Sequence, residues 1–135
     1  MSQTGLEVML PLPLDAAINR VTQALQAEGF GVLTRIDVHE TLKKKIGVEF
    51  RPYVILGACN PALAHKALSA RADVGLMLPC NVTVEEATPG LAVVRIADPD
   101  IMMTVGDLAT SAALREVGGE ARSRLLRVAA ALRGT

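Results

Sequence analysis

Cys59 and Cys80 are the only two thiols in this chain, and each is followed by an asparagine. Around the first, Ile55-Leu56-Gly57-Ala58-Cys59-Asn60-Pro61 reads as an apolar strand running into the start of a helix. Asn60 suits the N-cap, and Pro61 suits the first helical position, where a missing N–H costs nothing. Cys59 is thereby expected where free backbone N–H groups and the positive end of the helix dipole converge. That setting favours a thiolate and predicts a lowered pKa. The second cysteine follows twenty-one residues later, in Leu78-Pro79-Cys80-Asn81. If the two strands are antiparallel neighbours, the end of one lies near the start of the other, and the cysteines fall within disulfide range, roughly 4.4–6.8 Å between Cα atoms. A redox pair, a soft-metal site and a persulfide carrier all fit that chemistry. The competing reading is two small buried hydrophobes, which suits Cys80 on an apolar strand face.

Other candidate groups are weaker. His65 lies one turn into the helix after Cys59, so its ring either reaches back to the thiols or faces solvent. With His39 it completes the histidines, and the spacing matches no zinc pattern; no metal and no cofactor are expected. The Asn60-Pro61 helix entry offers backbone N–H groups to a phosphate, sulfate or carboxylate, with Lys43-Lys44-Lys45 and Arg51 as a candidate basic rim against the plainer reading of a solvated helix face. Asp37 and Glu40 flank a short helix and read as caps. Glu85-Glu86 and Asp98-Asp100 sit at a strand end and in a turn. A Ser-His-Asp order, a Walker loop and a dinucleotide fingerprint are all missing; Gly29-Phe30-Gly31 lacks the third glycine and precedes a strand. Met77, Met102 and Met103 read as core filler.

Composition narrows the function classes. The 135 residues are half hydrophobic, enough for one domain, spanning residues 1–135, with a real core. Basic and acidic side chains balance at 14 each, whereas a nucleic-acid binder normally carries a basic excess. With one Tyr, two Phe and no Trp, base-stacking platforms are lacking too. The N-terminal segment has no basic run, and Val8-Met9-Leu10-Pro11-Leu12 is short and broken by prolines, so neither a signal peptide nor a membrane span is expected. A cytoplasmic setting, with both thiols reduced at rest, follows as the expectation.

The elements that must position these residues can be read along the chain. Leu6–Leu10 is a strand. Leu14, Ile18, Val21 and Leu25 define a helix over Leu14–Glu28 that Gly29 stops. Phe30–Val38 is a second strand, with Val32, Thr34, Ile36 and Val38 on one face and Arg35 and Asp37 on the other. His39–Ile46 is a short helix, Tyr53–Ala58 a third strand and Pro61–Ala70 a helix. Gly75–Glu86 reads as a long fourth strand with Leu76, Leu78, Cys80, Val82 and Val84 on one face. Thr88-Pro89-Gly90 turns into a fifth strand, Leu91–Ala97, and Asp98-Pro99-Asp100 turns again. From Asp107 the pattern is helical, with Gly118-Gly119 expected to break it in two. Strands that neighbour in sequence favour an antiparallel meander of about five strands, an α+β fold with helices packed on one face.

These segments resemble the DUF302 family of small bacterial and archaeal proteins. The likeness runs from about Gly29 to Asp100 and is densest in Gly29-Phe30-Gly31-Val32-Leu33-Thr34, Lys45-Ile46-Gly47-Val48, Arg51-Pro52-Tyr53, Ile55–Ala64, Leu78-Pro79-Cys80-Asn81-Val82 and Asp98-Pro99. The resemblance implies an α+β fold of the TATA-binding-protein-like class (β-α-β4-α with short inserted helices) and a homodimer. It implies no activity. Another branch of the family carries Phe-Gly-Asn-Pro where this chain has Ala58-Cys59-Asn60-Pro61 and lacks the second cysteine. The Asn-Pro helix entry is thus the family feature, and the cysteine pair belongs to this branch.

Three functions compete at this point. The first is a binding protein for a small anion or sulfur species, with Cys59, Asn60, Cys80 and His65 at the site. The second is a non-catalytic homodimeric interaction module with buried, inert cysteines. The third is an enzyme of thiol chemistry.

Overall fold

The computed structural model describes residues 4–134; residues 1–3, where the N-terminal segment read above begins, and residue 135 lie outside the described residues. Five strands, β1 (Gly5–Leu10), β2 (Gly31–Asp37), β3 (Tyr53–Cys59), β4 (Cys80–Thr88) and β5 (Leu91–Ala97), form one antiparallel sheet in the order β1-β5-β4-β3-β2. The helices are α1 (Leu14–Ala27), α2 (Val38–Ile46), α3 (Pro61–Ala70), the single turn α4 (Pro99–Met102) and α5 (Ala112–Arg133). The α+β meander expected from the sequence is the observed architecture.

One sheet face carries Val8, Val54, Leu56, Val82, Val84, Val94 and Ile96, which alternate with polar residues as a half-covered antiparallel sheet requires. Onto it pack the stripe Leu14, Ile18, Val21 and Leu25 of α1 and the stripe Ala121, Leu125, Val128 and Leu132 of α5. The sheet anchors α1 directly: the Glu86 carboxylate at the end of β4 accepts from the Leu14 N–H at 2.8 Å. A second, smaller cluster lies under α3, α4 and the start of α5, built from Ala67, Val74, Met103, Leu108, Leu114 and Val117. The opposite sheet face carries Glu7, Met9, Thr83, Glu85, Arg95 and Ile36 by register. There Glu85 is buried between two arginines, accepting from Arg51 Nε at 2.9 Å and from Arg95 Nη1 at 2.8 Å.

Four expectations need correction. The fourth strand starts at Cys80, not Gly75. Ala72–Met77 winds as a 3-10 helix, Leu78-Pro79 is a cis peptide, and Pro79 has no N–H to offer a ladder. Leu76 is consequently 82% exposed, and only Cys80, Val82 and Val84 of the expected stripe share the core face. In β2 a bulge between Val32 and Thr34 puts Val32 opposite Ala58 and Thr34 opposite Gly57, so Val32 joins the core while Thr34 and Ile36 face away from it. Val38, expected on that strand, opens α2 instead. Finally, α5 runs unbroken through Gly118-Gly119 and begins at Ala112; the Asp107 segment is a separate 3-10 turn. Gly118 serves close approach: a Cβ there would lie 3.1 Å from Asp100 Cα and 3.2 Å from Met103 Cβ. It is the contact point that lets α4 lie against α5. Asp98-Pro99-Asp100, read as a turn, supplies the cap and first residues of α4.

Candidate functional site

Strand β3 delivers Cys59 at its last position, and Asn60 caps α3 as its side-chain Oδ1 accepts from the Leu63 N–H at 3.2 Å. Gly29 ends the approach from α1 with φ +84°, and a Cβ there would stand 2.9 Å from the Asn60 amide nitrogen, so the buried Asn60 packs on bare backbone. On the neighbouring strand Cys80 stands opposite Ala58, one residue from Cys59. Gly57 brings the surroundings together. A Cβ at that position would collide with Thr34 Oγ1 and lie 2.8 Å from Pro79 Cγ, so β2 and the residue before Cys80 both close over the same point of β3.

Both thiols are free, and both line one small pocket at the seam between the two apolar clusters. Phe30, Ala58 and Ala121 reach it from the larger cluster; Ala67, Met103 and Val117 reach it from the smaller. Its volume is about 30 Å³, and its walls are almost wholly apolar. A cavity needs about 10–15 Å³ on this measure for one water, so the space holds roughly two atoms of that size. Cys59 is half-buried and Cys80 buried.

The expected thiolate at Cys59 is not what this environment favours. Burial pushes the Cys59 thiol above its ordinary value of 9.0. Burial, followed by repulsion from a charged Cys59, pushes Cys80 up to about 11. The helix start cannot compensate, because its donors are used. Pro61 has none, Leu63 donates to the Asn60 side chain, and Ala64 donates to the Asn60 carbonyl at 2.9 Å. Of the first-turn N–H groups only that of Ala62 remains. Desolvation by the apolar walls therefore outweighs the dipole, which is worth about 0.3–1 kcal/mol at a surface.

The other sequence candidates fall outside this pocket. His65 is exposed on α3 and does not line it. Lys43, Lys44 and Lys45 are exposed on α2, with Lys43 paired to Glu49, and Arg51 is engaged by Glu85; none forms a rim. Glu85 and Glu86 separate onto the two sheet faces: Glu86 accepts from Leu14 and Gly90, while Glu85 holds the arginines. The lining from Met103, Val117 and Ala121 was missed, because the Gly118-Gly119 pair concealed the continuous helix that presents two of them.

A crystal structure described as an uncharacterized conserved protein DUF302 from Bacillus stearothermophilus superposes with a TM-score of 0.84 at 29% sequence identity, covering 98% of this chain and 100% of that one. Among curated proteins no sequence matches. The family model described as "Domain of unknown function DUF302" matches residues 6–132, and with the fold and the Asn60-Pro61 helix entry in place, this chain belongs to the DUF302 family.

Proposed function

We propose that this protein binds a small sulfur species in the pocket beside Cys59, with that thiol as the acceptor, as a homodimer in the cytoplasm. The observation that carries the reading is the convergence of the chain's two cysteines on one apolar pocket of about 30 Å³. Such walls desolvate a hard anion at a cost that one free N–H cannot repay, which ranks sulfate, phosphate and carboxylate below a neutral, polarisable guest. A persulfide R–S–SH fits: its outer sulfur is soft, and it needs room for little more than one atom. Transfer balances without an oxidant. The Cys59 thiol gives up its proton, its thiolate attacks the outer sulfur, the S–S bond to R–S breaks, Cys59 becomes the persulfide, and R–S⁻ leaves and takes up that proton to become R–SH.

Mass spectrometry of the intact protein after incubation with glutathione persulfide tests this. The expected result is a gain of one sulfur atom per chain, removed by dithiothreitol and lost in Cys59→Ser. No adduct, or an adduct that persists in Cys59→Ser, rejects the proposal. The alternative reading as an interaction module draws on Met9, Leu33 and Ile36, which are 61%, 66% and 50% exposed and supply apolar surface for a second copy.

A further inference from the structure

The persulfide transfer leaves Cys80 without a part, although it is the second nucleophile in the pocket. Its place on the sheet is fixed. Cys80 opens β4 and pairs with Ala58 in the antiparallel ladder, so Cys59 is one residue beyond its direct partner. Antiparallel partners stand about 4.5–5.5 Å apart between Cα atoms and successive residues rise about 3.4 Å, which puts Cys59 and Cys80 about 6 Å apart. That lies inside the range of roughly 4.4–6.8 Å that a disulfide spans.

Within a strand, neighbouring side chains alternate between faces, and strict alternation would keep the two thiols apart. The pairing of β3 with β4 ends at Ala58, however, and Cys59 is the last residue of β3, where the chain turns into α3. Both cysteines line the same pocket there. A charged Cys59 is also the second cause of the raised Cys80 pKa, which places the sulfurs within electrostatic range of each other. Cys80 is 8% exposed and Cys59 half-buried, so an incoming sulfur donor meets Cys59 first and Cys80 stands behind it.

Resting on the reading of this pocket as a sulfur site, we propose that Cys80 is the resolving thiol of Cys59: it converts the Cys59 persulfide into a Cys59–Cys80 disulfide and releases the carried sulfur as hydrogen sulfide. The Cys80 thiol gives up its proton and attacks Cys59 Sγ. The bond from Cys59 Sγ to the outer sulfur breaks, and the outer sulfur leaves as HS⁻ and takes up that proton to become H₂S. Counted as S⁰, the carried sulfur gains two electrons, and the cysteine pair loses the same two in forming its disulfide. Two equivalents of a small thiol of the glutathione class then reduce the disulfide, leave as their own disulfide, and restore both cysteines.

Leaving-group chemistry selects this direction. Attack at the outer sulfur would expel the Cys59 thiolate, and burial makes that thiol a weaker acid than an ordinary one. Attack at Cys59 Sγ expels HS⁻, the conjugate base of a stronger acid, and the group of lower pKa leaves faster. The strands supply the rest: an attacking thiol already held beside its target needs no encounter, an advantage no dissolved thiol has. The reacting form of Cys80 is scarce, about one in ten thousand at pH 7 for a pKa of about 11. Loading therefore outruns release, and the persulfide is seen before it decays.

Loading the full chain with glutathione persulfide, desalting it, and following intact mass and released sulfide over time tests the step. The adduct of one sulfur is expected to give way to a chain two hydrogens lighter than the reduced protein, with one sulfide released per sulfur lost and a non-reduced peptide joining Cys59 to Cys80. Sulfide released per sulfur loaded is expected to fall at least tenfold in Cys80→Ser and in Cys80→Ala, with circular dichroism checking the fold of both. The measurements on the native chain decide the matter should neither variant fold. A native chain that takes up no sulfur removes the sulfur-site reading and this proposal together. A native chain that takes up sulfur but forms no Cys59–Cys80 disulfide, that carries the sulfur on Cys80, or whose release is matched by both variants overturns this proposal alone.

Discussion

Alkylating the native protein with iodoacetamide should modify Cys59 before Cys80, at a rate that climbs steadily with pH. The thiolate is the reacting form, and one pKa unit is a factor of ten in its abundance below the pKa. Cys80, at about 11, is about one-thousandth ionised at pH 8. A thiol at 9.0 would be about one-tenth ionised, and Cys59, raised above that, lies below it. Ionisation thus favours Cys59 by at most about 100-fold. A more basic thiolate is also the better nucleophile, with a Brønsted slope near 0.4–0.5, and two units return about tenfold of that to Cys80. The net chemical preference is at most about tenfold, and the burial of Cys80 extends it. Peptide mapping after timed quenching between pH 6.5 and 9 reads the ranking and the slope together. Adducts on Cys80 before Cys59 would refute the ranking. A Cys59 rate that levels off below pH 8 would refute the desolvation argument and restore the lowered thiolate pKa expected from the helix dipole.

Glu85 is a carboxylate whose burial raises its pKa, but the hydrogen bonds from Arg51 and Arg95 outweigh that and hold it below its ordinary 4.5. A depressed carboxylate stabilises the fold above its unfolded pKa, and that contribution disappears as pH falls through the folded value. Glu85→Gln should cost about 2 kcal/mol at pH 7 in urea denaturation and much less at pH 3; an equal loss at both pH values would discount the charge. In static light scattering the chain is expected at twice its monomer mass across micromolar concentrations, and a monomer mass throughout would remove the homodimer.

Much of the architecture was legible because its signals are local. Leu14, Ile18, Val21 and Leu25 repeat at the helical period, and Asn60-Pro61 announces a cap and a first turn that the structure reproduces. What stayed hidden depends on partners distant in sequence. Gly118 looks like a breaker until Asp100 is packed against it. The residue added at the β2 bulge changes faces only relative to Ala58 and Gly57 on the next strand. The thiols were located correctly, but the Cys59 pKa shift was anticipated with the wrong sign, because the dipole is written in Asn60-Pro61 while the desolvating walls come from Phe30, Met103 and Val117.

Gly57 contributes no functional group, yet β2 and Pro79 both close over it, two residues before Cys59 and one residue before Cys80 along their respective strands. The reactive atoms and the alignment of the walls around them are therefore inherited separately. A change of either cysteine alters what the pocket can hold while leaving the strands in place. A side chain at Gly57 would act as a wedge, parting β2 and the Pro79 turn from β3 and dismantling the pocket with both sulfurs still present. In this protein the least replaceable part of the pocket that holds both cysteines is a hydrogen atom.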